Sequence, residues 1–595
     1  MLFRSVVTDD FHPGALDSDI CDAYSKELWE ADNSGGSPRQ MRITDFPLKS
    51  ASGLYSRLAR DIRGSFLLCG LMAAATLFCC LSVGVARAQQ QEPQLLSYEE
   101  LVQLYRQESP PAALRAKLDG LLVTPFVSNE AAARGVRPLL PRDAKLGRFL
   151  RVVQWNIERG LEYDAIESAF TDPALFSKLL DSSSAPRGGE ERRLILEQVA
   201  LMKQADVIVL NEVDWGLKRT DYRNVAADLA SALGMNYAYG VEFVEVDPIA
   251  LGVEQFEELP LEERTELTKE LTVDPARYKG LHGTAILSRF PLENVRLHPF
   301  ERQAYDWYAG EIKKVRPLEK GKRRAGRLIF REKITREVRR GGRMMLTAEI
   351  ASAEIPGGRA TIVATHLESR TKAAGRLKQL RELLARIKDI DHPVIVAGDM
   401  NTSTGDSTPT SIRRELKKRL GSKGFWLKQG LQYTTGVKLP GLLTAGLNAY
   451  RKQADPTVRS IPLVASNPEA GFFKELKDFR SDGGGAFDLR GERGRSVDDQ
   501  TGPYANSNQR GDKGFITTFE VERTFAFVGR FKHDWIFVKP PGLSDPYAED
   551  QPYRFAPHFG RTLKNLNYAV EGRISDHDPI MVDLPLGEPD IPRAH

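Results

Sequence analysis

The sequence contains very few cysteines. There are four in 595 residues. They are Cys21, Cys69, Cys79 and Cys80. Because no thiol follows Cys80, the long remainder of the chain cannot contain a disulfide scaffold, a cysteine-ligated zinc site or a cysteine nucleophile.

The chain also has little net charge. Lys and Arg number 84 and Asp and Glu number 80, which gives +4 at pH 7. A total this small does not indicate nucleic acid or a membrane surface as a partner. Hydrophobic residues make up 41% and charged residues 28%, which excludes a fibrous or wholly disordered protein. The length exceeds that of an ordinary single-core domain, so we expect one large domain with extensions.

One long apolar run stands out, from Phe66 to Val85. Basic residues precede it, and the small-residue pattern Ala86-Arg87-Ala88 follows it. These features predict a signal peptide over 41–88 and export of the protein to the periplasm or the cell exterior. The run is also long enough to span a bilayer, so an uncleaved membrane anchor is the alternative. Both interpretations place residues 89–595 outside the cytoplasm.

A signal peptide begins near the start of a protein, whereas this one is preceded by residues 1–40. That segment is acidic and punctuated by Gly and Ser. We therefore expect that translation starts at Met41 and that residues 1–40 are an extension of the gene model. A disordered N-terminal segment is the alternative.

Short apolar runs rich in Val and Ile alternate with amphipathic segments from residue 148 onward. These runs predict buried strands. They are Leu150–Trp155, Val207–Leu210, Thr284–Leu287, Met344–Ile350, Ala360–Ala364, Val394–Ala397, Trp535–Val538 and Ile580–Leu584. Apolar residues at helical spacing predict helices over Glu190–Gln204 and Thr371–Ile390. Helices join some strands and Gly-rich turns join others, so we predict an α/β (α+β) fold in which two mixed sheets pack face to face with helices outside.

The exported part divides into a leader, one domain and a tail. Three inserts enlarge the domain: one is acidic, one is basic and one is long and loop-rich. The predicted boundaries are 89–147 for the helical leader, 148–585 for the domain, 586–595 for the tail, and 245–279, 313–343 and 402–515 for the inserts.

Polar clusters lie at the ends of five predicted strands. They are Gln154–Glu158, Asn211–Asp214, Thr365–Glu368, Gly398–Asn401 and Ser575–Pro579. Each alone is explained by a solvated strand end, a turn or a structural histidine. Buried unpaired carboxylates are costly, so strands that serve only a core have no use for five such clusters. Together they predict one site on one rim of the sandwich.

The ordered set of segments resembles the endonuclease/exonuclease/phosphatase superfamily. That superfamily includes deoxyribonuclease I, exonuclease III-like nucleases, neutral sphingomyelinases and inositol-polyphosphate 5-phosphatases. The matching segments occur in the family order and are Val153–Asn156, Leu210–Asp214, Gly283–Arg289, Ala364–Leu367, Ala397–Asn401, His533–Ile536 and Ser575–Pro579. The resemblance implies a four-layer α/β/β/α sandwich and hydrolysis of phosphoesters.

The resemblance also implies a divalent-metal site. Glu212 corresponds to the residue that binds the cation, and Asn156 and Asp576 assist it. Oxygen ligands without cysteine suit Mg²⁺ or Mn²⁺ better than zinc.

The remaining family positions imply catalytic roles. His577 corresponds to the general base, and Asp534 to the carboxylate that fixes its tautomer. Asp399 would orient the attacking or a metal-bound water, Asn401 would donate to a phosphate oxygen, and His366 would contact the phosphate. Two positions depart from the family pattern. Thr284 stands where the family often has Asn, and His533 stands where a hydrophobic residue usually precedes the aspartate.

Substrate choice is left open by these residues. His366 is followed on the next helix by Arg376 and Gln379, which we predict to contact the substrate. This pattern resembles the deoxyribonuclease I and sphingomyelinase branches more than the exonuclease III-like branch. Arg323, Arg324 and Arg327 in the basic insert favour a nuclease, because Lys and Arg neutralise backbone phosphates. A structural β-ribbon explains that insert equally well.

Three alternatives remain to an exported nuclease. A lipid or sphingomyelin phosphodiesterase would use an exposed aromatic loop, for which Tyr305–Tyr308 is the candidate. The others are a phosphomonoesterase and a non-catalytic binding module on the same fold. Nothing in the sequence indicates a protein partner, and we expect a monomer.

Overall fold

The structure is a computed structural model. It describes residues 92–107, 109–181, 188–252, 260–312, 338–402, 469–511, 514–525, 528–570 and 573–591. The predicted extension and signal peptide lie outside these residues, as do 313–337 of the basic insert and 403–468 of the third insert. Within the described ranges, no helix is both long and apolar enough to cross a bilayer.

The described part contains helices and strands in mixed order. The helices are α1 Tyr98–Arg106, α2 Ala112–Val123, α3 Glu130–Ala133, α4 Tyr163–Thr171, α5 Pro173–Asp181, α6 Gly189–Lys203, α7 Val225–Leu233, α8 Leu261–Leu271, α9 Trp307–Ile312, α10 Ala373–Arg386, α11 Ala470–Asp478 and α12 Lys564–Asn567. The first nine strands are β1 Phe126–Ser128, β2 Arg142–Asp143, β3 Gly147–Arg159, β4 Val207–Trp215, β5 Asn236–Glu245, β6 Leu281–Ser288, β7 Glu293–Pro299, β8 Arg339–Gly341 and β9 Met344–Ala351. The others are β10 Arg359–His366, β11 Val394–Asp399, β12 Arg510–Gly511, β13 Gly514–Phe515, β14 Phe519–Phe525, β15 Val528–Phe531, β16 Asp534–Lys539, β17 His558–Thr562 and β18 Ile580–Pro585.

Two mixed sheets form the centre of the fold. The first has the order β1-β5-β6-β4-β3-β18-β17, with β2 and β8 paired at its side, and the second has the order β16-β11-β10-β9-β7. Strands β3 and β4 are parallel, as are β10 and β11, whereas their other neighbours are antiparallel. Each predicted apolar run lies within one of these strands. The predicted α/β fold with two mixed sheets is confirmed.

Alternating side chains place each sheet between two apolar layers. In β3, Val152 packs between the two sheets, whereas Val153 packs against the helices outside the first sheet. In β10, Ile362 faces the first sheet and Val363 faces the helices outside the second. This period of two follows from the pleat of a strand. It produces the predicted order of helix, sheet, sheet and helix.

The predicted leader packs into the core outside the first sheet. Leu104 and Tyr105 of α1 and Leu121 of α2 are buried in that apolar cluster. The Tyr105 hydroxyl hydrogen-bonds the carbonyl of Val244 and accepts a bond of 2.7 Å from the backbone N–H of Arg340. Residues 92–123 therefore share the hydrophobic core of the domain.

At the described end of the basic insert, Arg339 and Arg343 are buried. Arg343 lies 2.6 Å from Glu242 through Nη1, and Arg339 lies 3.3 Å from Glu245. The Arg339 guanidinium also stacks 3.7 Å from the ring centre of Trp307. Both glutamates belong to β5, so these buried ion pairs attach the end of the insert to that strand.

Candidate active site

The polar clusters of the sequence meet at one end of the two sheets. Strands β3 and β4 end there in the first sheet, and β10 and β11 end there in the second. Parallel neighbours bring their carboxyl ends to the same edge, which explains the convergence. The structure brings together eight of the predicted site residues: Asn156, Glu212, His366, Asp399, Asn401, Asp534, Asp576 and His577.

A local irregularity in β4 aims Glu212 into the site. The pairing of β4 with β6 shifts between Leu210 and Val213, and Glu212 has φ of 51°. A non-glycine residue with positive φ is strained and persists only where its surroundings fix it. The bulge therefore turns one carboxylate away from the regular alternation of the strand.

His577 lies between two aspartates. Its Nδ1 is 2.7 Å from Oδ2 of Asp534, and its Nε2 is 3.7 Å from Oδ2 of Asp399. Its Nε2 is also 3.9 Å from Asp576. Asp534 thus fixes one ring nitrogen, and the other faces the carboxylates of the site.

The electrostatics of this group follow from burial and from these charges. Burial disfavours the imidazolium, but Asp534, Asp399 and Asp576 outweigh it and raise the pKa of His577 well above its ordinary value. Burial raises the pKa of Asp399 to about 7, although His577 opposes the shift. The pKa of Asp534 shifts in the opposite direction from that of Asp399. Burial acts to raise it, but the charge and hydrogen bond of His577 outweigh burial and leave the pKa below its ordinary value.

Asn156 joins the two halves of the site. Its Nδ2 donates to Oε1 of Glu212 and to Oδ2 of Asp399, each at 3.2 Å. Its Oδ1 accepts 3.1 Å from the backbone N–H of Glu158. The amide nitrogen therefore faces both carboxylates, and the predicted contact of Asn156 with a cation stays a prediction.

A group of carboxylates surrounds the predicted cation position. Burial and the charges of Asp576 and Glu212 raise the pKa of Glu158 to about 8. Burial and Glu212 also raise the pKa of Asp576. Carboxylates crowded in this way are stabilised by a divalent cation, and oxygen donors suit Mg²⁺ or Mn²⁺. The residues present fit the predicted metal.

His366 and Asn401 bond to each other. Nδ2 of Asn401 lies 3.1 Å from Nε2 of His366 and donates to the carbonyl of Leu367 at 2.9 Å. Nε2 of His366 is 3.4 Å from Asp399, and burial together with Arg343 lowers the pKa of His366 well below its ordinary value. His366 is therefore neutral and lies at the site, while the amide nitrogen of Asn401 already has protein acceptors.

Arg376 and Gln379 lie on α10, inside the protein. The Arg376 guanidinium donates to Glu469 at 2.5 Å and to Oγ1 of Thr402 at 3.2 Å. Oε1 of Gln379 accepts a hydrogen bond of 3.0 Å from the backbone N–H of Glu368. Both side chains thus support the loops around the site, and their predicted contact with substrate remains a prediction. Arg323, Arg324 and Arg327 lie outside the described residues.

Several residues that position the site residues through hydrogen bonds had no role predicted from the sequence. The side-chain amide of Asn211 accepts a hydrogen bond of 2.8 Å from the backbone N–H of Asp399. It also donates a hydrogen bond of 3.1 Å to the carbonyl of Thr365. Nε2 of Gln154 donates 3.0 Å to Asp534. Asn211 and Gln154 belong to the polar strand ends, which is the signal that points to them.

Two other supporting residues were also given no role, although Ser575 belongs to the polar cluster that precedes the last strand. The hydroxyl of Ser575 donates 2.7 Å to the carbonyl of Asn156 and accepts 3.1 Å from the N–H of His577. Thr518 Oγ1 accepts from the N–H groups of His533 and Asp534 at 3.0 and 3.1 Å. Thr518 lies far from any motif, so only the folded chain shows its role.

The two departures from the family pattern are both buried. Thr284 bonds Glu242 through its hydroxyl and accepts 3.1 Å from Asn211. The His533 ring stacks on Phe519 with centroids 5.0 Å apart and on Phe531 with centroids 5.4 Å apart. Burial lowers the pKa of His533 to about 3, which leaves a neutral imidazole beside the site.

In the aromatic segment Tyr305–Tyr308, Trp307 is buried and the two tyrosines are half-buried. Trp307 is 5% exposed, and its Nε1 donates 3.1 Å to Glu368. Arg339 and Arg370 stack on its ring at 3.7 and 4.3 Å from the centroid. The aromatic rings of the candidate membrane-binding loop thus pack against arginines.

Comparisons with solved structures found several similar proteins. The chain is similar to an endonuclease/exonuclease/phosphatase from Beutenbergia cavernae DSM 12333, at 17% identity over 74% of this chain and 72% of that chain, with a TM-score of 0.33. It is also similar to the catalytic domain of human Nocturnin, at 16% identity over 75% and 98%, with a TM-score of 0.31. A third similar structure is the 3'-5' exonuclease NExo from Neisseria meningitidis, at 12% identity over 73% and 99%, with a TM-score of 0.33.

No curated protein matches the sequence. The profile described as Endonuclease/Exonuclease/phosphatase family matches residues 153–577, which is most of the chain and includes all eight residues that the structure brings together. We conclude that this chain belongs to the endonuclease/exonuclease/phosphatase family.

Proposed function

We propose that the protein is an exported, Mg²⁺-dependent phosphodiesterase that cleaves nucleic acid. Membership of a family of hydrolytic phosphoesterases supports the reaction class. The observation that carries the proposal is the arrangement of His577, with Nδ1 on Asp534 and Nε2 toward Asp399. An imidazole held in this way has one nitrogen available for proton transfer.

The protein groups divide the chemistry between them. Glu212, with Asp576, would hold a divalent cation, which would supply positive charge to the phosphate and would offset the carboxylates that raise the pKa of His577. Nε2 of His577 then accepts the proton of the attacking water, and Asp534 stabilises the imidazolium that results. Asp399 orients the water, because its carboxylate faces both His577 and His366. Neutral His366 donates a hydrogen bond to a phosphate oxygen through its protonated ring nitrogen.

Nucleic acid is proposed as the substrate because of the positive charge of the basic insert. Residues 313–343 contain 14 Lys and Arg against three Glu. Arg339, Arg340 and Arg343 are engaged in the protein interior, so phosphate contacts would come from the residues before them. The lipid alternative loses its supporting feature, because Tyr305–Tyr308 is packed against arginines.

A substrate panel tests this proposal. We would incubate the purified protein with DNA, RNA, sphingomyelin, bis-p-nitrophenyl phosphate and p-nitrophenyl phosphate, in Mg²⁺ or in EDTA. We expect cleavage of nucleic acid and of the diester in Mg²⁺ and none in EDTA. Hydrolysis of sphingomyelin without cleavage of nucleic acid would transfer the protein to the lipid class. Turnover of the monoester alone would make it a phosphatase.

The salt dependence of binding tests the basic insert. Changing Arg323, Arg324 and Arg327 to Gln should reduce the slope of log affinity against log salt by about 0.9 for each phosphate that the variant no longer neutralises. The matched control changes three exposed arginines of the leader region, Arg115, Arg134 and Arg137, to Gln. An equal reduction in both triple variants would show that the insert has no specific role.

Export has a separate test. If residues 41–88 are a signal peptide, N-terminal sequencing of the native protein should find Gln89 as the first residue. An N-terminus that retains Phe66–Val85 would indicate the membrane-anchored form instead. The mass of the purified protein in solution, measured by light scattering, tests the expected monomer.

A further inference from the structure

A third histidine, His282, lies at the active-site end of the first sheet. It is the second residue of β6 and pairs in register with Asp214, near the end of β4. The bulge that carries Glu212 interrupts this same pairing of β4 with β6. The His282 side chain shares the inner face of β6 with Thr284 and Ile286, because alternate residues of a strand point to the same side.

His282 is close to two residues of the site, Glu212 and His366. Burial acts to raise the pKa of Glu212, but charges that include those of Arg159 and His282 leave it below its ordinary value. Burial and the charges of Arg343 and His282 lower the pKa of His366. A proton on either imidazole opposes a proton on the other, because like charges repel. His282 is 2% exposed, as His366 is, so it is as accessible as a residue of the site itself.

Asp214 fixes the orientation of the His282 ring. Nδ1 of His282 is 2.8 Å from Oδ1 of Asp214. Arg219 donates to both oxygens of the same carboxylate, at 2.6 and 3.0 Å, so Asp214 is ionised and accepts from His282. The ring also packs against Phe243, with centroids 6.2 Å apart. In the neutral imidazole the proton therefore lies on Nδ1, and Nε2 is a hydrogen-bond acceptor.

An acceptor beside the cleaved phosphate restricts the nucleic acid that fits. Phosphate oxygens and the ether oxygens of the sugars only accept hydrogen bonds. The 2′-hydroxyl of ribose is a donor on the backbone of RNA, and DNA lacks it. Nε2 of His282 therefore has a partner in an RNA backbone and none in a DNA backbone. An acceptor that is buried by the substrate without a donor costs free energy.

We propose that His282 is a specificity-determining residue whose Nε2 accepts a hydrogen bond from a ribose 2′-hydroxyl next to the cleaved phosphate, so that the protein prefers RNA to DNA. This preference rests on the proposed cleavage of nucleic acid. His577 and Asp534 perform the same chemistry on both substrates, and the contact of His282 distinguishes between them.

Matched oligonucleotides test the preference. A DNA strand, an RNA strand of the same sequence, and that RNA strand with fluorine in place of each 2′-hydroxyl are cleaved in saturating Mg²⁺. Fluorine cannot donate a hydrogen bond. We expect kcat/KM for RNA to exceed that for the other two strands by about tenfold or more, because a site built to bind a hydroxyl rejects an analogue that lacks it.

Variants of His282 then show whether this residue sets the preference. His282→Phe keeps a ring against Phe243 and removes the acceptor, so the ratio of kcat/KM for RNA to that for DNA should fall about tenfold or more. His282→Asn repeats the measurement in case the Phe variant does not fold, which circular dichroism reports. Its amide can still donate to Asp214 but does not extend to the position of Nε2. His298→Phe, at a half-buried position on β7, is the control and should keep the original ratio.

The possible outcomes distinguish the role of His282 from the proposed function. Equal cleavage of RNA and DNA by the unchanged protein, or an unchanged ratio in both His282 variants, would overturn the preference and leave a nuclease. An equal loss of activity on RNA and DNA in the variants would also overturn it, since His282 would then serve either substrate. Hydrolysis of neither strand would refute the proposed function, and the preference with it.

Discussion

Nδ1 of His577 lies 2.7 Å from Oδ2 of Asp534, although 43 positions separate the two residues in the chain. The contact joins the loop before β18 in the first sheet to the start of β16 in the second. Orientation of the proposed base therefore depends on the second sheet, whereas the base itself is carried by the first.

Asp534→Asn should reduce kcat by roughly 10²–10⁴. The amide no longer stabilises the imidazolium and permits the wrong tautomer of His577. The rate is measured on bis-p-nitrophenyl phosphate in saturating Mg²⁺, with circular dichroism to verify the fold. Asp478→Asn on the exposed face of α11 is the control. If Asp534→Asn retains most of its turnover, His577 is not the base. Asp399→Ala and His577→Ala should each abolish activity.

Glu212→Gln should raise the Mg²⁺ concentration needed for half-maximal activity by about tenfold or more. The change removes one negative oxygen ligand and keeps the size of the side chain. Rates are measured across a Mg²⁺ titration, with Glu130→Gln as the exposed control. An unchanged Mg²⁺ requirement would assign the cation to other residues.

The buried Lys532 should make the free energy of unfolding increase with pH above about 7. Burial lowers its pKa from 10.5 to about 7, against the opposing charges of Asp534 and Asp578. Between these values the unfolded chain binds a proton that the folded chain does not. The free energy of unfolding therefore increases with pH from 7 to 10, by up to about 1.4 kcal/mol per pH unit from this group.

Lys532→Met should remove that increase. Urea unfolding at pH 7, 8 and 9 gives the slope for the variant and for the unchanged protein. Lys378→Met, on the exposed face of α10, should keep the original slope. A slope that persists in Lys532→Met would show that Lys532 is protonated in the folded protein.

Tyr105→Phe should destabilise the protein by about 1–3 kcal/mol. The change leaves the N–H of Arg340 without the hydroxyl that accepts from it, and leaves the Val244 carbonyl without its donor. Chemical denaturation gives the difference, and Tyr547→Phe at an exposed position is the control. A single cooperative transition at lower denaturant would show that α1 unfolds together with the sheets. If α1 melts in an earlier transition, the leader unfolds independently of them.

Much of the fold could be predicted because its signals are local. Runs such as Val394–Ala397 have the length and composition of buried strands, and all eight predicted runs are strands. The polar strand ends also predicted the site, since neighbouring parallel strands end together. The sequence did not show that α1 and α2 contribute to the core, because their partners in β5 and β8 lie more than a hundred residues away. The burial of Arg376, Gln379 and Trp307 was missed because residues of other segments, such as Glu469 and Glu368, are their partners.

Asn211 makes four hydrogen bonds, two to each sheet. Oδ1 accepts from Gln154 and Asp399, and Nδ2 donates to Thr284 and to the carbonyl of Thr365. All four can form only after both sheets exist and have met. During refolding, circular dichroism should therefore recover before enzymatic turnover does. The rate at which turnover recovers then reports how fast the two sheets come together around Asn211.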